Sequence, residues 1–428
     1  MRDALDPLTG IMTGLRLIPT EAGAPDFFNA TVRMADTTPY FGAPCNPRNG
    51  GAGLSEEEAV NAALGEGIER YCAAAIDPRR MTTGSVAELE RRGLRPLRPG
   101  ELALFDPSQR AGLPFAFFDE HTPLSWIEGT SLVDRGPRLV PGCLVYIPYR
   151  RISETETTIG PAISTGLACG PDRDSAILGG LYEAIERDAF TIVWRNRLAI
   201  QRLTLDEPQI ARLFERRFAR PRLNYHLFHV EFDIAVPTVI AIVEDCNFDP
   251  PVFCLGGAAR LSAIEATRKA LIECAQGWTW ARQERIQHGV MKRSDDFAEV
   301  TTFDSRVTLY ACAGMGDALD FMLGTRSSVS LTKLAERPAN FDDPVGAVVE
   351  RIARVGSDVI AIDLTTRDIA ELGVCVIKSV CPRLEQVEGD YRFPLLGGTR
   401  WRSVPVATGW RAEPLDIQGI NACPHPYP

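Results

Sequence analysis

Apolar residues recur along this chain in two rhythms. Over the first 48 residues they form short runs broken by Pro, Gly, Asn and Thr, such as Gly14-Leu15-Arg16-Leu17-Ile18 and Ala30-Thr31-Val32-Arg33-Met34. That pattern predicts strands joined by turns. The rhythm then changes: a Gly-rich stretch, Asn49-Gly50-Gly51-Ala52-Gly53, leads into Ser55-Glu56-Glu57-Glu58, a capping box with Ser55 as N-cap. It predicts a helix of about six turns, to near Ile76. From about 80 to 160 loops predominate, with strand-like runs at Arg138-Leu139-Val140 and Leu144-Val145-Tyr146-Ile147. A second turn, Ser164-Thr165-Gly166-Leu167-Ala168-Cys169-Gly170, runs into Pro171-Asp172 and a second long helical pattern reaching about Ile200. Residues 222–260 are strand-like, Ala235 to Val243 most clearly, and end at Gly256-Gly257 before a third helix from Ser262. Residues 300–343 carry no clear pattern. A helix around Pro344 to Val355, a strand Val359-Ile360-Ala361-Ile362 with Asp363 at its C-terminal end, and an apolar run from Val374 to Val380 follow. Strands and helices mix without a strict βαβ repeat or an evident linker, which predicts an α+β fold.

Composition narrows the function classes. The 428 residues carry 46 Lys+Arg against 56 Asp+Glu, a net charge of −10, which argues against a nucleic-acid binder held by bulk positive charge. No apolar stretch approaches the roughly 18 residues of a membrane span, and no signal segment opens the chain, so a cytoplasmic protein is expected. Eleven Cys at irregular positions and five His, with no CxxC pair, make a disulfide framework or a structural zinc site improbable. The first lysine is Lys269 and no GxxxxGK[ST] string occurs, so any nucleotide is held without a Walker-type loop.

The chemistry-bearing signal is a repeat. Glu66-Gly67-Ile68-Glu69-Arg70 in the first helix and Glu183-Ala184-Ile185-Glu186-Arg187 in the second are both E-x-I-E-R. Carboxylates at i and i+3 share a helical face, and an Arg at i+4 joins it. One such pentad is an ordinary salt-bridged surface. Two, each after a glycine-rich turn and each set among apolar residues, predict partly buried acids that need cations, and hard oxygen ligands of this kind suit Mg²⁺ bridged to phosphates. The third helix adds Glu273 and Gln276 on one face, a carboxylate and an amide able to meet metal, ribose or base edge. The cysteines have only the reading of small apolar residues. His226 and His229 lie in strand-like sequence, which puts them on opposite faces.

Gly-rich turn, ExxER helix, Ser-x-Gly-Leu-Ala turn, ExxERDA helix and ALxExxQ helix occur here in the order seen in YcaO-domain proteins, and the chain resembles that family over nearly its whole length. Further points of resemblance are Asp6-Pro7-Leu8-Thr9-Gly10-Ile11, Asp363-Leu364-Thr365, Phe393-Pro394-Leu395-Leu396-Gly397-Gly398 and the closing Pro424-His425-Pro426-Tyr427-Pro428. The resemblance implies a single YcaO-type domain over 1–428. Residues 1–48 form a β-rich opening segment, 49–300 the nucleotide-binding helices and turns, and 301–428 a C-terminal part. Mixed and antiparallel sheets would accompany long helices that line a nucleotide site. The PxPxP ending resembles that of the azoline-forming cyclodehydratases, as opposed to thioamide-forming or amidine-forming members. In such an enzyme a Cys, Ser or Thr side chain of a ribosomal precursor peptide attacks the preceding carbonyl carbon. The resulting oxyanion takes the γ-phosphoryl of ATP, and loss of phosphate leaves thiazoline or oxazoline.

Carried over by position, the resemblance makes Glu66, Glu69, Glu183 and Glu186 ligands of Mg²⁺ or their immediate support, and puts Arg70 and Arg187 on phosphate or on those acids. It assigns Ser164, Thr165, Lys269, Glu273 and Gln276 to nucleotide, and Pro424, Pro426 and Pro428 to a tail that enters the active site, where the Pro428 carboxylate would move protons. Three positions depart from the family pattern: Ala52 for a Lys, Ala62 for a Ser and Thr165 for a common Asn. They leave open a differently organised site, or a non-catalytic docking subunit. The expected partners are the precursor peptide, an E1-like leader-binding protein and a second copy of the chain, with a separate flavin dehydrogenase for any oxidation to azole, since no dinucleotide fingerprint is present.

Overall fold

The structure is a computed structural model that describes residues 1–427. An N-terminal antiparallel sheet joins β1 (Met12–Ile18), β2 (Phe28–Met34) and β3 (Arg48–Gly53) in that order. A second sheet runs through β4 (Met81–Gly84), β5 (Leu124–Ser131), β13 (Ile360–Asp363), β14 (Cys375–Val380) and β7 (Leu167–Gly170), with β6 (Pro137–Pro141) also paired to β5. The third has the order β11 (Val252–Ala259), β10 (Thr238–Asp245), β9 (Leu223–Val230), β8 (Gln201–Thr204) and β12 (Ser328–Ser330), antiparallel except for β12 against β8. The mixture is the expected α+β class.

Three long helices bind the sheets together: α1 (Glu56–Ala74), α2 (Arg173–Asn196) and α3 (Ala263–His288). Each starts at a residue whose side chain accepts a backbone N–H of the first turn: Ser55 for α1, Asp172 for α2 and Ser262 for α3. The predicted box at α1 is half formed, because Glu58 reaches back to Leu54 N–H (2.7 Å) and not to that of Ser55. The third sheet is covered on both faces, which is why β10 and β11 read as apolar runs and not as alternations. Val239, Ala241 and Val243 share a buried cluster with Ala270, Leu271 and Ala275 of α3. Ile240 and Ile242 pack on the other face with Phe190, Val193 and Trp194 of α2. No helix among the described residues is long and apolar enough to cross a membrane.

Several expectations need correction. Gly256 and Gly257 do not end a strand; they lie inside β11, where a Cβ at Gly256 would fall 2.3 Å from Cys274 N of α3. Leu144 to Ile147 is not a strand: after the one-turn helix Gly142–Leu144, Val145 and Tyr146 both donate to the Gly142 carbonyl. Their apolar character comes from burial in a turn. The patternless stretch contains α4 (Phe303–Cys312), and α5 (Pro344–Arg354) and α6 (Arg400–Ala407) follow.

Candidate functional site

The two pentads are held by the turns that precede them, in matching geometry. Gly50 N–H of β3 donates to Glu66 Oε2 at 2.8 Å, and Gly166 N–H of the second turn donates to Glu183 Oε2 at 2.8 Å. Each helix can lie this close because a glycine stands at the contact, on the strand side for α1 and on the helix itself for α2. A Cβ at Gly51 would meet Ala63 N at 2.2 Å, and one at Gly180 would meet the Gly166 carbonyl at 2.4 Å. Gly166 itself has φ +85°, a left-handed conformation that glycine adopts without strain.

The halves are then stitched across. Glu69 of α1 accepts Cys169 N–H of β7 at 2.8 Å. Gln276 of α3 lies over Gly50, its Nε2 at 3.2 Å from where a Gly50 side chain would begin. Glu186 of α2 borders Gly257 of β11, and its strongest carboxylate neighbour is Glu273 of α3. Lys269 sits one turn before Glu273 and pairs with it at 3.1 Å. Three helices far apart in sequence thus bring Glu66, Glu69, Glu183, Glu186, Glu273 and Gln276 to one place.

Crowded acids in a dry setting hold protons. Burial pushes the Glu69 carboxyl from 4.5 up to about 8, Arg70 opposing the rise and Glu66 and Glu183 adding to it. Glu186 is raised as well, by burial first and then by Glu273. Arg70 Nη2 donates to Glu66 Oε1 at a long 3.4 Å, and Arg187 stands 3.7 Å from Glu183 and 3.9 Å from Glu186. Arg70 Nε and Arg187 Nε are buried without a hydrogen-bond partner among the described residues.

Such a set fits a cation together with an anion. It offers two buried carboxyls, Glu69 and Glu186, raised chiefly by burial, and guanidinium Nε donors left uncommitted for oxygen ligands. Among the described residues no three His, Cys, Asp or Glu side chains stand close enough to hold an ion alone.

The second turn rests on a residue that sequence reasoning missed. Lys378 of β14, 3% exposed, donates to the carbonyls of Ile163 (2.5 Å) and Thr165 (2.8 Å). It thereby fixes the backbone on either side of Ser164. Burial lowers its pKa to about 7, with Glu183 opposing. The only signal was a lysine in an apolar run. Ala52, which stands where the family pattern has a Lys, is buried in the apolar cluster of α3 and the third sheet.

The tail is equally specific. Pro424 to Tyr427 are buried, and Tyr310 O–H donates to the Pro424 carbonyl at 2.8 Å. Trp194 Nε1–H donates to the Cys423 carbonyl at 3.0 Å, and Arg306 reaches the His425 carbonyl at 3.5 Å. Pro424 and Pro426 are both buried within this tail. Tyr427 meets the acid helix, its ring 3.9 Å beneath the Arg187 guanidinium. Pro428 lies outside the described residues.

The family described as YcaO cyclodehydratase, ATP- and Mg²⁺-binding, matches residues 50–385. A solved heterocyclase in complex with substrate and cofactor superposes with a TM-score of 0.80 at 21% identity, covering 100% of this chain and 56% of its own. The YcaO protein of Methanopyrus kandleri bound with AMPPCP and Mg²⁺ gives a TM-score of 0.60 at 20% identity, over 88% of this chain and 86% of its own. An uncharacterised protein of Methanothermobacter thermautotrophicus is 28% identical over 184 residues, 41% of this chain and 48% of its own length. The chain therefore spans about half of that relative and of the heterocyclase.

Proposed function

The chain belongs to the YcaO family of ATP- and Mg²⁺-binding cyclodehydratases, and from that premise we propose that it is the subunit that forms azolines in a ribosomal precursor peptide. The observation that carries the proposal is the convergence of two turn-anchored E-x-I-E-R helices and α3 on one set of acids, two of which, Glu69 and Glu186, are buried and raised. Glu66, Glu69, Glu183 and Glu186 would be ligands of Mg²⁺ or their immediate support. Arg70 and Arg187 would meet phosphate oxygens, while Ser164, Thr165, Lys269, Glu273 and Gln276 would border the rest of the nucleotide. ATP supplies the phosphoryl group that turns the peptide carbonyl oxygen into a leaving group.

The remaining work falls to the chain's own groups. The Gly50 and Gly166 N–H groups orient the acids. Lys378 fixes the second turn, and the buried tail keeps water from the acid helix. Glu69 and Glu186, raised by burial in the free chain, would give up their protons as Mg²⁺ binds. The seated Pro-rich tail supports ring formation over thioamide or amidine formation. Peptide delivery by an E1-like partner, a dimeric assembly, and a one-domain organisation over 1–428 complete the reading.

The proposal is tested by supplying a Cys-containing precursor whose backbone carbonyls carry heavy oxygen, together with Mg²⁺, ATP and the partner protein. The expected result is loss of one water per ring, with the label in the released phosphate. Rings formed with the label in water would contradict phosphorylation of the amide oxygen. Peptide binding without ATP turnover in the full complex would favour the docking-subunit alternative.

A further inference from the structure

We propose that Tyr427 latches the C-terminal tail to the second acid helix through Arg187, and that the latch couples tail seating to nucleotide binding; the coupling rests on the nucleotide site proposed above. Tyr427 is 2% exposed and its hydroxyl has no hydrogen-bond partner among the described residues. The ring lies 3.9 Å under the Arg187 guanidinium and 4.8 Å, edge on, from Phe190. The slot exists because β11 carries a glycine there: a Cβ at Gly257 would fall 2.6 Å from Tyr427 Oη and 3.3 Å from Glu186 Oε1. The tail and the buried acid thus converge on one residue without a side chain.

Arg187 is held by its face and not by its edge. Its separations from Glu183 and Glu186, 3.7 and 3.9 Å, exceed hydrogen-bond length, and it makes no hydrogen bond among the described residues. A guanidinium stacked on an aromatic ring keeps its in-plane donors available for a planar or phosphate partner. Remove the ring and the same group can settle on Glu183 and Glu186, neutralising the acids that a metal–nucleotide pair requires. A seated tail therefore prepares the site for anion. By linkage, a bound nucleotide must hold the tail shut by the same factor.

Other tail attachments lie upstream: Asn421 N–H donates to the Arg195 carbonyl (2.9 Å), and Trp194, Tyr310 and Arg306 hold Cys423, Pro424 and His425. Among the attachments named here, only the Tyr427 ring contacts a group of the acid pentad.

Hydrogen exchange of residues 421–427 in the full chain tests the latch. Wild type and Y427F, which keeps the ring and drops an unpaired hydroxyl, are expected to be equally protected. Y427L, similar in bulk but without a π face, is expected to exchange about tenfold faster, and G257A to open the tail likewise. A non-hydrolysable ATP analogue with Mg²⁺ is expected to slow exchange in wild type and Y427F but not in Y427L, which should bind the analogue more weakly by the same factor. Wild-type protection in Y427L would overturn the latch, since packing alone would then suffice. Slowing of Y427L to the same extent as wild type would overturn the coupling. Binding of the analogue by none of the proteins would overturn the nucleotide-site reading and the coupling with it, leaving the latch to be decided by exchange in the free chain.

Discussion

Glu69 shows how a single residue reports on the site. It accepts one backbone N–H and faces Arg70, yet burial and two neighbouring acids raise its pKa from 4.5 to about 8. Between those values the folded chain binds more protons than the unfolded one, so this group's stabilisation is complete below about 4.5 and is lost as pH rises through 8. Lys378 has the opposite sign. Its folded pKa of about 7 makes its contribution grow as pH rises from 7 toward its unfolded value. Comparing Glu69→Gln with wild type cancels the lysine. The ligand-free variant is expected to melt about 2 °C or more above wild type at pH 8.5 and level with it at pH 5. Mg²⁺–ATP should stabilise wild type more strongly as pH increases, because a cation needs the ionised acid. Identical melting of the two proteins at both pH values would contradict the assigned pKa.

At the scale of elements, the site depends on helices lying directly on glycine backbone. Gly51→Ala should cost about 1–3 kcal/mol by overpacking, since its methyl would meet Ala63 N at 2.2 Å. It should also weaken nucleotide binding by moving Glu66 off Gly50. Urea unfolding and a binding titration would show both; an unchanged variant would mean that α1 shifts freely. The glycine-rich turns and acid pentads were legible because spacing in a helix fixes which side chains share a face. Other elements were hidden for physical reasons. β5 was missed because its buried face includes Ser125 and Ser131, satisfied by Glu156 and Asp358, and Gly129 interrupts its apolar run. α4 carries Arg306 in the core, fully buried against carbonyls of Glu388 and Gly389. No local pattern marks such a position as internal. Lys378 and Tyr427 were invisible for the same reason: their partners, the Thr165 carbonyl and Arg187, are more than two hundred residues away in sequence.

Across the whole molecule, a buried ionic network ties the C-terminal part to the acid helix. Arg400 of α6 bonds Asp188 at 2.9 and 2.8 Å and Asp233 at 3.0 and 2.8 Å, and Glu385 joins Arg195 at 3.0 Å. Asp188 is two residues beyond Glu186. Arg400→Met would leave both aspartates uncompensated, and is expected to destabilise by about 3–5 kcal/mol, read as a large fall in Tm. A variant that melts like wild type would show that the network contributes nothing to the junction. The sequence motif ERDA marked Asp188 without indicating its partner, which lies 212 residues on.

Whether the paired acids of α1 and α2 bind nucleotide through Mg²⁺ is decided by titration calorimetry of ATP into the purified chain, with Glu186→Gln alongside. Mg²⁺-dependent binding is expected of the wild type, strengthening from pH 7 to 8.5, with its loss in the variant. Binding of equal affinity by the variant, or binding indifferent to Mg²⁺, would contradict it.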